Sequence, residues 1–127
     1  MRIEHLALWT RDIERLRAFY EVYFQASAGP RYVNERKRFT SYFLSFGPGA
    51  RLELMSRPEV TLPSEEAPPT GYAHLALSVG SPEAVDAMAE RFRQDRIAVV
   101  DGPRWTGDGY YECVVLDPEG NRIEVTA

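Results

Sequence analysis

Two segments of this chain occur twice, in the same order and at nearly the same spacing. His5-Leu6-Ala7-Leu8 recurs letter for letter as His74-Leu75-Ala76-Leu77, and Arg51-Leu52-Glu53-Leu54 recurs in kind as Arg122-Ile123-Glu124-Val125. From His to Glu is 48 residues in the first copy and 50 in the second; the copies lie 69 and 71 residues apart. A period near 70 is longer than solenoid repeats and reads as one duplicated module. The joint falls at 58–71, where Pro58, Pro63, Pro68 and Pro69 gather with Ser64, Glu65 and Glu66, a loop composition. The expected organisation is one domain over 1–127, with module 1 at 1–57, a linker at 58–71 and module 2 at 72–127.

Local patterns give each module the same element order. Residues 2–9 alternate with the period of a strand. Asp12 is a good N-cap, and Ile13, Leu16, Tyr20 and Tyr23 follow at helical spacing, so a helix is expected over 13–24. Strands are expected at 31–35, 39–46 and 50–56. In the second half a strand is expected at 72–79. Ser81-Pro82 opens a helix whose buried stripe is Val85, Met88, Ala89 and Phe92. Strands follow at about 97–101, 110–116 and 121–126, with a tight turn at Asp117–Gly120. The segment 102–109 reads as a mobile loop. The fold class is α+β: two βαβββ modules forming a cupped mixed sheet with helices on its outer face.

Strand alternation then separates the duplicated residues by face. Leu6 and Leu8, Leu52 and Leu54, Leu75 and Leu77, and Ile123 and Val125 belong to the face under the helices. His5, Glu53, His74 and Glu124 take the other. His5 and His74 are the only two histidines in the chain, and both occupy the same repeat position. Two imidazoles and two carboxylates are a donor set for one divalent cation, suiting Zn²⁺, Ni²⁺, Co²⁺, Fe²⁺ or Mn²⁺. The two carboxylates neutralise the ion, which makes its burial tolerable.

Charge and composition exclude other classes. Net charge is -4, and Arg36-Lys37-Arg38 is the only dense basic run, so nucleic acid and anionic membranes are not expected partners. Nothing is apolar for long enough to span a bilayer, and the N-terminus does not read as a signal peptide. The lone Cys113 forms no internal disulfide, which fits a cytoplasmic location.

At the His and Glu segments, at Gly71-Tyr72-Ala73-His74 and at Asp117-Pro118-Glu119-Gly120-Asn121-Arg122-Ile123-Glu124, the chain resembles the vicinal oxygen chelate superfamily, which holds glyoxalase I, fosfomycin-resistance proteins, extradiol dioxygenases and bleomycin-resistance proteins. Its His–Glu–His–Glu order resembles bacterial glyoxalase I. The resemblance implies a lactoylglutathione lyase type of activity: isomerisation of a hemithioacetal, or of a related small-molecule substrate, by proton transfer. It implies one metal ion per site, with Ni²⁺ or Co²⁺ favoured over Zn²⁺ in short chains, and Glu124 as the catalytic base. It also implies a homodimer in which His5 and Glu53 meet the partner copy's second pair. The resemblance leaves open another metalloenzyme, an epimerase or resistance transferase, or a non-enzymatic antibiotic binder. The chain departs from glyoxalase I at Trp9, where that enzyme has arginine, and at Arg57, where it has asparagine. Arg57, Trp9, Tyr72, Arg104, Trp105 and Tyr110 are the further candidates for substrate contact.

Overall fold

The computed structural model describes residues 3–61, 72–107 and 109–127. Most of the linker, Gly71 of the second His segment and Asp108 of the 102–109 segment lie outside the described residues. The chain divides into two compact units, Met1–Glu65 and Glu66–Ala127.

In the first unit the elements are β1 (His5–Trp9), α1 (Ile13–Phe24), β2 (Ser27–Ala28), β3 (Tyr32–Asn34), β4 (Phe39–Ser45) and β5 (Arg51–Ser56). The α1 helix starts where the Asp12 carboxylate accepts from Arg15 N–H at 3.0 Å. It stops at Gln25, which takes the left-handed conformation with φ 54. Its stripe Ile13, Leu16, Phe19 and Tyr20 is buried against Leu44, Leu52 and Leu54 of the sheet. Sheet order is β1-β5-β4-β2, with β3 paired to β4 outside that path. β1 and β5 run parallel and the other pairs antiparallel. β2 is two residues long and was not expected from the pattern.

The second unit holds β6 (Leu75–Ser78), α2 (Pro82–Gln94), β7 (Val99–Trp105), β8 (Tyr111–Leu116) and β9 (Arg122–Thr126), in sheet order β6-β9-β8-β7. Ser81 Oγ caps α2 by accepting from Ala84 N–H at 3.2 Å. Val85, Ala89 and Phe92 are buried over the helix-side row Cys113, Val115, Ile123 and Val125, none of which is exposed. Asp117 shapes the β8–β9 turn: its Oδ1 accepts from the backbone of Glu119 and Asn121, each at 2.9 Å.

Most strands are a residue or more shorter at their ends than the sequence expectation, and three differences are larger. β1 begins at His5 and β6 at Leu75, so His74 sits one residue ahead of its strand. Residues 102–105 belong to β7 rather than to a loop. A glycine and a proline suggested a break there, but the strand absorbs them through register shifts between Val99 and Arg104. Gly102 makes this possible. Its φ is +73, and a Cβ at this position would lie 2.5 Å from the Glu112 carbonyl oxygen.

Candidate metal centre

The parallel pairing of β1 and β5 places Ala7 opposite Glu53 and His5 opposite Arg51. His5, two residues before Ala7, shares its face. The two side chains meet diagonally, His5 Nε2 lying 3.9 Å from Glu53 Oε2. The second ring nitrogen is engaged elsewhere: His5 Nδ1 lies 2.5 Å from Glu4 Oε2. Glu4 is in turn gripped by the Arg51 guanidinium, with Nε 3.0 Å from Oε1 and Nη2 on the same oxygen. The His5 contact first, and Arg51 second, hold the Glu4 carboxyl below the usual carboxylate range. Phe43, next to Glu53 across the β4–β5 ladder, meets the His5 ring edge-on at 5.3 Å. A carboxylate on Nδ1 selects the tautomer whose Nε2 lone pair is free to bind a metal.

The second unit repeats the arrangement. Ala76 lies opposite Glu124, and His74 again precedes that alanine by two residues. His74 Nε2 is 3.2 Å from Glu124 Oε2. The copies differ behind the histidine: Ala73 stands where Glu4 stands in the first module, so His74 has no equivalent carboxylate in that position. Both imidazoles are partly open, with 40% and 42% of their side-chain surface exposed, while Glu53 and Glu124 keep 15% and 24%. Partly sheltered carboxylates beside accessible ring nitrogens fit a divalent cation as donors. Among the described residues no group of three or more His, Cys, Asp or Glu side chains is gathered to hold an ion. Each module therefore presents a pair.

The weaker candidates fall into distinct settings. Trp9 ends β1, packs edge-on against Phe39 at 6.2 Å and carries the Arg57 guanidinium over its ring at 4.5 Å. Arg104 is held by Asp101, with Nε 3.1 and 3.0 Å from the two carboxylate oxygens. That contact raises its pKa, with smaller contributions from Glu112 and Glu124. Trp105 lies on Tyr111 at 5.2 Å. Tyr72 and Tyr110 are exposed. Sequence reasoning missed Glu4 and Arg51 as the support behind His5; the signal available was the acid directly before the first histidine and the arginine two residues before Glu53.

The profile of the Glyoxalase/Bleomycin resistance protein/Dioxygenase superfamily matches residues 2–125. No curated protein sequence matches the chain. Among solved structures, glyoxalase I of Leishmania major, described as trypanothione-dependent, is similar with a TM-score of 0.80 and 22% identity over 99% of this chain and 86% of that one. A possible glyoxalase from Bacillus cereus has a TM-score of 0.74 and 28% identity, over 100% of this chain and 99% of that one. Glyoxalase I from Zea mays has a TM-score of 0.79 and 21% identity; 98% of this chain is covered, but only 44% of the maize protein.

Proposed function

The chain belongs to the glyoxalase/bleomycin resistance protein/dioxygenase superfamily, and from that premise we propose that it is a divalent-metal-dependent enzyme of the glyoxalase I kind. His5, Glu53, His74 and Glu124 are the four ligands of one ion, Ni²⁺, Co²⁺ or Zn²⁺ first and Fe²⁺ or Mn²⁺ as alternatives. The observation that carries this reading is the shared register. In both modules an alanine lies opposite the glutamate, and the histidine two residues earlier reaches diagonally to it. The four donors assemble within one chain or between the two copies of a homodimer.

When bound, the ion acts as a Lewis acid, stabilising negative charge that develops on substrate oxygens. The chain's own groups do the rest. His5 and His74 fix the donor geometry, and Glu4 with Arg51 hold the His5 ring. Glu124 takes a proton from the carbon beside the substrate carbonyl and returns it to the neighbouring carbon, an isomerisation without net redox change. Glu124 suits this role better than Glu53 because it is the more accessible of the two carboxylates.

A second reading keeps the metal and changes the substrate. The Arg57–Trp9 stack occupies positions where glyoxalase I has asparagine and arginine, which favours a small substrate other than a glutathione adduct. Turnover of the methylglyoxal–glutathione hemithioacetal by protein loaded with each metal tests the first reading. Adducts of other thiols test the second. Glu124→Gln should lower either activity by about a hundredfold or more while much of the metal affinity survives. A protein that binds none of these metals would instead be a small-molecule binder.

A further inference from the structure

On the helix side of the second sheet, away from Glu124, an aromatic pair meets two carboxylates. Strand parity separates the faces. Val114 pairs with Glu124 and Cys113 with Val125, so Tyr111, two residues before Cys113, belongs to the face under α2. Trp105 is the ladder partner of Tyr111 and shares that face. It therefore lies opposite Glu124, against the expectation that it contacts substrate, whereas Arg104, paired with Glu112, stays on the Glu124 side. Tyr111 is tied to the helix: its hydroxyl donates to Asp86 Oδ1 at 2.7 Å. That bond first, then burial and nearby negative charge that includes Glu83, raise the Tyr111 pKa. Glu83, three residues before Asp86 on α2, is thus within electrostatic reach of the same ring.

Two features mark this surface as one for a cation. Trp105 packs on Tyr111 with ring centroids 5.2 Å apart, yet it is 65% exposed, so most of the indole is left for another molecule to cover. The carboxylates are also uncompensated. Among the described residues neither Glu83 nor Asp86 is ion-paired, although Asp95 and Asp101 of the same module face Arg91 and Arg104. Arg93, about two turns along α2 from Asp86, donates instead to the Gly102 carbonyl at 3.1 Å. The surrounding field has the same sign: residues 72–127 hold ten Asp and Glu against five Arg and no Lys.

We propose that Trp105, Tyr111, Asp86 and Glu83 form a docking surface for an arginine- or lysine-bearing segment of a partner protein. A cation laid on an indole ring beside carboxylates gains from both contacts, and Trp and Tyr are the residues that most often anchor an interface. The surplus negative charge draws such a segment from a distance and repels acidic partners. All four residues belong to α2 and the β7–β8 hairpin. The proposal does not rest on the metal reading, and its test uses metal-free protein.

The chain has two tryptophans, Trp9 and Trp105, so NMR shows two indole N–H signals, which Trp9→Phe assigns. The full chain in EDTA is titrated with a blocked tetra-arginine peptide in one arm, tetra-lysine in a second and tetra-glutamate as control. The expected result is saturable movement of the Trp105 signal by at least one cationic peptide at millimolar concentration, with none by tetra-glutamate. The double variant Glu83→Gln/Asp86→Asn should weaken binding by about fivefold or more, while Glu35→Gln in the first module leaves it unchanged. Thermal unfolding checks that the double variant is folded. Glu83→Gln alone, which keeps the Tyr111–Asp86 bond, should weaken binding by about twofold and serves if the double variant does not fold. Absence of saturable movement with both cationic peptides, or undiminished binding by the folded variants, overturns the proposal. So does movement of the Trp105 signal on dilution of the chain alone, which would assign the surface to a second copy.

Discussion

Replacing Glu4 with alanine tests whether the first histidine is held ready for a metal. In the structure the His5 ring has one fixed nitrogen and one available nitrogen, because Nδ1 is bonded to Glu4 and Nε2 faces Glu53. Without the Glu4 carboxylate, a neutral imidazole divides between two tautomers, only one of which offers Nε2, a factor of about two. The side chain also regains rotamers: three χ1 wells and a roughly two-fold χ2 give about six states. The edge contact with Phe43 keeps the ring from reaching all of them. The product is a loss of about tenfold in metal affinity, the lower end of the 10–100-fold range found when partners behind a ligand are removed. Competition titration of Ni²⁺ or Zn²⁺ against a chelator measures it. Changing Ala73, the matching residue before His74, to serine should have little effect. If Glu4→Ala binds metal within about twofold of the parent while His5→Ala does not bind, the positioning argument is wrong, since the factors above require a larger change.

Other consequences are open to measurement. Burial pushes the Cys113 thiol from 9.0 up to about 11, so the unfolded chain releases this proton first as pH rises. Stability should be unaffected by this group below pH 9 and fall between 9 and 11 by about 3 kcal/mol; urea unfolding at each pH should show a steeper decline than in Cys113→Ala, and equal slopes would refute it. Phe92→Ala empties a position with no exposed surface and should cost about 3–5 kcal/mol in the same assay. Gly102→Ala meets both a positive φ and the Glu112 carbonyl and should cost at least about 1–2 kcal/mol. A variant as stable as the parent would mean that the β7 backbone adapts freely.

Elements with strong local signals were legible in the chain. Asp12 and Ser81 are side-chain caps, so the start of each helix could be read, and α1 covers Ile13–Phe24 as its pattern implied. The duplicated His and Glu segments also announced their faces, because strand alternation needs only sequence parity. Legibility failed where tertiary pairing overrides local chemistry. Gly102 and Pro103 look like a loop, yet β8 captures them as strand. Ser27-Ala28 is too short to carry a pattern and is a strand only because it pairs with Leu44 and Ser45. Glu4 was overlooked because a charged residue before a strand reads as solvated.

The central claim is that two equivalent imidazole–carboxylate pairs serve one ion. Native mass spectrometry of Ni²⁺-loaded protein, at matched chain concentration, tests it directly. The account predicts one ion per chain, lost or strongly weakened in His5→Ala and equally in His74→Ala. Two ions per chain, with each variant keeping the ion of its intact module, would contradict it.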